Sequence, residues 1–422
     1  MIYTINNCIR AFGYTNFDNL IADMGSVDNL REYVRANGYA DIAVAEDTEL
    51  LLVDVNGKTW HTGCYGAKLE PPKPYLCFTS TGDSTVAMQQ NGTPPANKVI
   101  QYKLNDGQWQ TWDLSEVSLH DGDKMYLKSD DDIPTNKFNA AYKYFVITGS
   151  IAASGNIMSL FNFSTSLSDY ALIRMFKDCT ALTAAPELPA TTLSRGCYSE
   201  MFIRCTSLVQ APELPATTLA PKCYMTMFKG CTSLTQAPEL PATSLTEYCY
   251  SAMFSECTSL VQAPALTATT LAEHCYYEMF NRCTSLTHVP TLPATTLAEH
   301  CYDSMFQRCT SLTQAPALPA TTLSTYCYQW MFYNCTSLTQ APELPAVDLA
   351  FGCYNNMLRD CTNLNYVKAM FTTDQSSGAY LQFWLDGVSA TGTFVKNSAA
   401  TWTNEQAGIP TGWTVQTASP DK

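Results

Sequence analysis

The chain has 422 residues, of which 15% are charged, and its formal net charge at pH 7 is −14. This length allows two or three domains, each with its own core. The negative charge disfavours nucleic acid and anionic lipid as partners, because binding phosphates needs concentrated Lys and Arg. No apolar run reaches the roughly 18–20 residues of a membrane-spanning helix, so we expect no membrane insertion.

The first 68 residues predict a small α+β attachment unit, with a helix around Asp28 to Ala36 and a strand in the apolar run Leu50 to Val55. Met1 to Cys8 have no basic, apolar or cleavage region of a secretory signal. Either the protein is not exported by the general secretory route, or a signal has been removed. Residues 69–74 are proline-rich and predict a stiff linker.

Residues 75–150 predict a β-sandwich, because short apolar runs alternate here with turn signals. The turn Asn105-Asp106-Gly107 favours a hairpin. The expected strands are Tyr75–Ser80, Thr85–Met88, Val99–Leu104, Trp109–Leu114, Lys124–Leu127 and Tyr142–Thr148. A sandwich by itself assigns no role.

The cysteines then reveal a repeat with a period of 26 residues. One column is Cys179, Cys205, Cys231, Cys257, Cys283, Cys309, Cys335 and Cys361, and the other is Cys197, Cys223, Cys249, Cys275, Cys301, Cys327 and Cys353. Each unit reads C-T-S-L-x-x-A-P-x-L-P-A-T-T-L-x-x-x-C-Y-x-x-M-F-x-x. Seven units span 179–360, between an N-terminal cap at 151–178 and a C-terminal cap and tail at 361–422.

Each unit is predicted to hold one very short parallel strand and one helix of about ten residues. In one unit the strand lies at 207–211, and Pro212 and Pro215 end it because they lack an N–H donor. Thr217 or Thr218 is the expected N-cap of the helix. Its apolar face is Leu219, Cys223, Tyr224, Met227, Phe228 and Cys231. The predicted fold class is thus an α+β solenoid of leucine-rich-repeat type, preceded by the sandwich and the α+β unit.

The cysteine columns allow three interpretations, namely buried thiols, disulfides between neighbouring units and metal ligands. No C-x-x-C pair occurs, and each position suits a small apolar core residue. We therefore favour reduced thiols, which imply a reducing compartment. His274 and His300 occupy equivalent places, but repeat duplication explains this coincidence better than a metal site. We expect no metal and no cofactor.

Three dipeptide positions vary freely between units and lie four residues apart, so they share the outer face of the predicted helix. In the first unit they are Arg195-Gly196, Ser199-Glu200 and Ile203-Arg204. They represent either neutral drift or a displayed contact patch, since exposed aromatic residues are typical of binding sites. The candidate ligand-binding residues on this face are Tyr248, Tyr277, Tyr326, Trp330 and Tyr333.

The opposite face carries a glutamine column that includes Gln236, Gln262 and Gln314. This array could hydrogen-bond a sugar chain, or it is a solvated polar ladder. Further along, Trp384, Trp402 and Trp413 are expected to close the end of the solenoid by core packing. The sequence has no phosphate loop, H-E-x-x-H or G-x-S-x-G motif, and we predict that the protein is not an enzyme.

The segment C-T-S-L-T-Q-A-P-E-L-P-A-T-S-L, from Cys231 to Leu245, resembles the BspA-like, or Treponema pallidum-type, leucine-rich repeat family. The resemblance covers about residues 153–415, and the segments 384–388 and 408–413 look like the end of Bacteroides members. It implies surface display and adhesion to host proteins, matrix or other cells.

Phages that infect Bacteroides also carry such repeats in tail or head fibres. Assembly of a virion in the cytoplasm would explain both the missing secretory signal and the reduced cysteine columns. The favoured function is therefore a receptor-binding virion protein, assembled in the host cytoplasm, that recognises a bacterial surface glycan or protein through the solenoid. Its N-terminal domains would contact other virion proteins. The alternatives are a secreted or cell-surface bacterial adhesin and a purely structural decoration of the virion. Homo-oligomer formation is left open.

Overall fold

The computed structural model describes residues 20, 26–36, 41–44, 49–53, 56, 58–65, 75–92, 99–129, 142–372, 380–402 and 406–419. The chain divides into two compact units, Met1–Lys73 and Pro74–Lys422. The predicted linker at 69–74 lies outside the described residues.

The first unit contains the one α-helix longer than a turn among these residues, α1 (Val27–Ala36), and a three-stranded antiparallel sheet. Ser26 caps the helix, since its Oγ accepts the N–H of Asn29 at 3.0 Å. Leu30 and Val34 lie four residues apart and are buried. The strands are β1 (Asp41–Val44), β2 (Glu49–Val53) and β3 (Thr59–Tyr65), in the order β1-β2-β3.

The second unit begins with two packed sheets. Their strands are β4 (Leu76–Ser80), β5 (Ser84–Asn91), β6 (Ile100–Leu104), β7 (Gln110–Thr111), β8 (Val117–Leu119), β9 (Lys124–Ser129), β10 (Tyr142–Thr148), β11 (Ile151–Ser154) and β12 (Leu182–Ala184). One sheet has the order β12-β11-β4-β9-β6-β7 and the other β10-β5-β8. Phe78 and Phe145 join the two, with ring centroids 5.0 Å apart. Two sheets thus share one core where the sequence predicts a sandwich.

Most of the expected strands are present, but the one at Trp109–Leu114 shrinks to Gln110–Thr111. Its backbone leaves the sheet after Trp112, which is buried and donates its indole N–H to the carbonyl of Ser115 at 2.9 Å. The short strand β8 was not predicted, because only Leu119 of its three residues is buried. The expected hairpin joins β6 to β7 through the turn at Asn105.

The two sheets run directly into the repeats. Strand β11 pairs in parallel with β12, which belongs to the first complete unit. The N–H of Phe145 on β10 donates to the carbonyl of Met175 at 2.8 Å. The ring of Phe145 also stacks on Phe176 at 5.0 Å. The sheets therefore cover the first end of the repeated core.

The strand predicted in each unit is reduced in most units to one bridging residue. Parallel bridges join Gln210 to Gln236, Gln236 to Gln262 and Gln262 to His288. The prolines that follow explain why the pairing extends no further, since proline has no N–H to donate.

The helix predicted in each unit is instead a run of overlapping turns. In residues 219–231, Cys223 and Met225 donate their N–H groups to the carbonyls three residues earlier, both at 3.2 Å. The alternate residues donate to the next unit, as Tyr224 does to the carbonyl of Cys249 at 3.1 Å. Half of the backbone donors in this segment are thus satisfied only by a neighbouring unit.

Every fourth residue of this segment has a left-handed backbone, with φ of 61° at Lys222, 53° at Thr226 and 74° at Gly230. An α-helix requires φ near −63° throughout, so the predicted helix, with Thr217 or Thr218 as its N-cap, is wrong. Turns that repeat every four residues and an α-helix with 3.6 residues per turn place apolar side chains at nearly the same positions over a segment of nine residues. The sequence pattern therefore did not distinguish the two backbones.

The residues assigned to the apolar face are nevertheless the interior ones. Cys223, Met227, Phe228 and Cys231 are fully buried. Equivalent rings stack from unit to unit, at 5.2–6.0 Å in the phenylalanine column from Phe176 to Phe332 and in the buried tyrosine column.

The far end is closed by strands β13 (Tyr366–Ala369), β14 (Gly392–Lys396) and β15 (Trp413–Thr417), which pair in parallel. Trp384, Trp402 and Trp413 are buried there, as core packing requires. Two single-turn 3₁₀ helices, Ile157–Phe161 and Gln406–Gly408, complete the described structure.

Candidate functional site

The variable dipeptides form three columns of turns along the repeats. The second residue of each dipeptide is the one with positive φ. The first column contains Gly196, Lys222, Tyr248, His274, His300, Tyr326 and Gly352; the second contains Glu200, Thr226, Ala252, Glu278, Ser304, Trp330 and Asn356; the third contains Arg204, Gly230, Glu256, Arg282, Arg308, Asn334 and Asp360. We call the surface formed by both residues of these dipeptides the turn face.

The first column is a continuous stack. The rings of Tyr248, His274, His300 and Tyr326 follow one another with centroids 4.3, 4.5 and 4.8 Å apart. The Lys222 ammonium lies 4.9 Å from the centroid of Tyr248 and extends the stack by a cation–π contact. Tyr248 and Tyr326 are therefore half-buried and packed against the rings of neighbouring units.

Glycines stand next to the ends of this stack for steric reasons. A Cβ at Gly352 would lie 2.2 Å from the ring of Tyr326, and one at Gly196 would lie 2.3 Å from the ring of Tyr170. The ring of one unit thus occupies the space of the side chain in the next. Gly352 allows the Tyr326 ring to lie flat at that end.

The two histidines in the stack have pKa values that are shifted in opposite directions. His300 Nδ1 lies 2.7 Å from an oxygen of the buried Asp303, and this hydrogen bond raises the pKa of His300. Burial, followed by the charge of His300, lowers the pKa of His274. The two rings stack face to face, at an interplanar angle of 15°, which does not point their nitrogens at a shared metal position.

Asp303 also accepts the hydroxyl of Ser304 at 2.7 Å. Serine, histidine and aspartate are therefore adjacent, but both Ser304 and His300 bind the carboxylate. A nucleophilic serine must donate its hydroxyl to the imidazole in a hydrogen bond, because the imidazole has to accept the proton of that hydroxyl. The hydrogen bonds of this cluster thus orient Asp303 and do not activate Ser304.

Beside the stack lies an open groove of about 430 Å³ that crosses three consecutive units. It brings together three of the predicted residues, Tyr277, Trp330 and Tyr333. The rings of Trp330 and Tyr333 meet edge to face at 4.9 Å. Tyr277 contacts His274 of the stack at 5.6 Å. All three are half-buried, so their rings are held by neighbours while one side faces the groove.

The groove also has polar residues that the sequence did not single out. Asp303 and Glu278 contribute carboxylates, and Gln307 and Gln329 contribute amides. The Arg308 guanidinium lies 5.7 Å from the centroid of Tyr333. All of them occupy the variable dipeptides, and this variation was the one sequence signal that could have marked them.

The glutamine face is built differently. Gln236, Gln262 and Gln314 are exposed. Gln236 and Gln262 line an open groove of about 480 Å³ together with prolines and Glu239. Gln314 lies outside that groove and, unlike Gln236 and Gln262, forms no parallel bridge within the described residues.

The column cysteines are free thiols in the interior. Cys231 donates its thiol to the carbonyl of Phe202 at 3.1 Å, and the same contact recurs along its column. Burial raises the pKa of Cys231 and Cys249 to about 12. At neutral pH these thiols are protonated and serve as core residues.

Within the described ranges, no three His, Cys, Asp or Glu side chains are placed to hold a metal ion. No helix in the same ranges is long and apolar enough to cross a membrane. Comparisons of the chain with models of protein families, with curated proteins and with solved structures found no match.

Proposed function

We propose that the protein is a non-enzymatic adhesion or receptor-binding protein, in which a leucine-rich-type solenoid of the resembled BspA-like kind presents its ligand site on the turn face. One observation carries this proposal. The buried positions are nearly identical in every unit, whereas the side chains of the variable dipeptides differ, and those of three units meet in one aromatic groove.

Such a frame suits binding because the backbone of each turn is hydrogen-bonded to the next unit. Side chains on a rigid frame lose little conformational entropy when a ligand binds. The aromatic and amide composition of the groove is also typical of contact surfaces.

The setting we favour is a phage virion, as a tail or head fibre component that recognises a bacterial surface. The buried thiol columns support assembly in a reducing cytoplasm. The N-terminal unit would attach the chain to other virion proteins. A bacterial cell-surface adhesin is the second candidate, favoured by the family resemblance.

The test is binding of the fluorescently labelled full chain to Bacteroides cells, the cells that the resemblance implies. We expect saturable binding that unlabelled protein displaces, with no sugar or peptide released from the cells. Absence of saturable binding would remove the adhesin proposal and leave a structural decoration. Release of sugar or peptide would contradict the non-enzymatic assignment. Mass spectrometry of purified virions separates the phage setting from the bacterial one.

A further inference from the structure

The turn-face groove combines an aromatic wall with hydrogen-bonding groups of both kinds. Trp330 and Tyr277 supply rings, and the carboxylate of Glu278 supplies acceptors. The Gln307 amide oxygen already accepts the side-chain N–H of Asn281 at 2.9 Å, so its NH₂ group is the part left to donate. Ring faces beside alternating donors and acceptors match a molecule that has both C–H faces and hydroxyl edges.

The charge of the groove restricts the ligand further. By formal charge, with His300 counted as neutral, Glu278 and Asp303 contribute two negative charges and Arg308 one positive charge, a balance of −1. The guanidinium of Arg308 lies over the Tyr333 ring, so it is already partly engaged. An anionic sugar would meet net repulsion here, whereas a neutral one would not.

Two other surface grooves lack the aromatic component. The groove at Gln236 and Gln262 and the groove at Pro186 and Pro212 are lined by proline, alanine, leucine, glutamate and other residues without an aromatic ring. Only the turn-face groove, among these three, offers stacking. Its volume of about 430 Å³ also lies within the range of about 300–1,000 Å³ common for small-molecule sites.

We propose that this groove binds a neutral pyranose unit of a cell-surface glycan, which stacks on Trp330 and hydrogen-bonds to Glu278 and Gln307. The cell-surface source rests on the proposed function, whereas the neutral pyranose rests on the groove alone. Asp303 is not the acceptor, because its two oxygens are already bonded to His300 and Ser304 and its side chain is only 6% exposed.

Saturation-transfer NMR on the full chain tests the proposal with a panel of neutral mono- and oligosaccharides and with glucuronate as the anionic probe. We expect transfer to neutral sugars and none to glucuronate. The repeat itself supplies variants that fit the fold, since Ser304 is the equivalent of Trp330 and Ser251 is the equivalent of Tyr277.

Trp330→Ser and Tyr277→Ser should each weaken binding by roughly tenfold, the size typical of a lost aromatic anchor. The control is Val347→Thr, at an exposed position outside the grooves where the preceding unit already carries Thr321, and it should leave the signal unchanged. An unchanged melting temperature verifies that each variant folds.

The outcomes separate the two proposals. If no neutral sugar receives saturation, if glucuronate binds as well, or if Trp330→Ser leaves binding intact, the pyranose site is wrong. Cell binding that persists in both serine variants would then leave the adhesin proposal standing. If neutral sugars bind through Trp330 but the chain does not bind cells, the groove assignment holds and the proposed function fails.

Discussion

The two packed sheets and the repeats that follow them share one core but are held together differently. In the sheets, buried residues alternate along each strand, as with Val86 and Met88, and each strand finds its backbone partners in strands from elsewhere in the sheet. In the repeats, every second N–H of the turn segment is bonded to a copy of the same segment 25 residues ahead. A repeat unit is therefore replaceable, whereas a strand of the sheets is not.

The largest expected effect is the loss of folding or stability when a segment is deleted. Removing residues 257–282 joins Glu256 to Cys283 and keeps all columns in register, so the chain should still fold. We expect a loss of about 1–4 kcal/mol in unfolding free energy, at about 0.05–0.15 kcal/mol per residue. Removing β5 should abolish folding, because β5 lies between β8 and β10. Circular dichroism and thermal melting measure both, and a folded β5 deletion would contradict the comparison.

A cavity in the ring column should be the largest point effect. Phe254 is fully buried between Phe228 and Phe280, each 5.8 Å away. Phe254→Ala should cost about 3–5 kcal/mol of unfolding free energy by denaturant titration. Phe254→Leu copies Leu358 of the last unit and should cost less than about 1.5 kcal/mol. Equal losses for the two variants would show that ring stacking, not volume, dominates.

Substitution of threonine by glycine should raise the unfolding free energy at a left-handed position of the repeats and lower it in a strand of the sheets. Thr226 has φ of 53°, a conformation that costs a β-branched residue about 1–2 kcal/mol. Thr226→Gly should therefore raise the unfolding free energy by about 1 kcal/mol. Thr85, on strand β5, is the matched control, and Thr85→Gly should lower it by about 1 kcal/mol. A destabilising effect at both positions, by chemical denaturation, would refute the assigned backbone conformation.

The smallest effect is the pH dependence of the histidine stack in the repeats. His300 faces Asp303, Glu299, Glu273 and His274, and its pKa is raised above 6.5 in the folded state. Its contribution to stability is therefore complete below pH 6.5 and is lost as the pH rises through the raised value. His274 has a lowered pKa, so its burial costs stability as the pH falls below 6.5.

The measurement is the thermal midpoint between about pH 5 and 8. His300→Gln should lower the midpoint most at the acidic end, and His274→Gln should raise it there. Parallel pH profiles for the two variants would show that the pair does not have opposite shifts.

How far the sequence could predict this molecule differs between its parts. The period, the buried columns and the closing tryptophans followed from spacing and apolarity alone, since burial depends on side-chain chemistry. Three groove aromatics followed because they fall on variable positions. The stacking of Tyr248 with His274, and the hydrogen bond from His300 to Asp303, did not follow, because they depend on how far each unit is displaced from the next.

The sequence by itself therefore determined which residues face inward and the 26-residue step by which they repeat. Only the tertiary structure decided that the segment between the cysteine columns is not a helix. It is a run of overlapping turns in which every fourth residue has a left-handed backbone. The reason is that its alternate N–H groups bind carbonyls of the next unit. A local pattern does not contain those acceptors, so it could not distinguish two backbones that bury the same side chains.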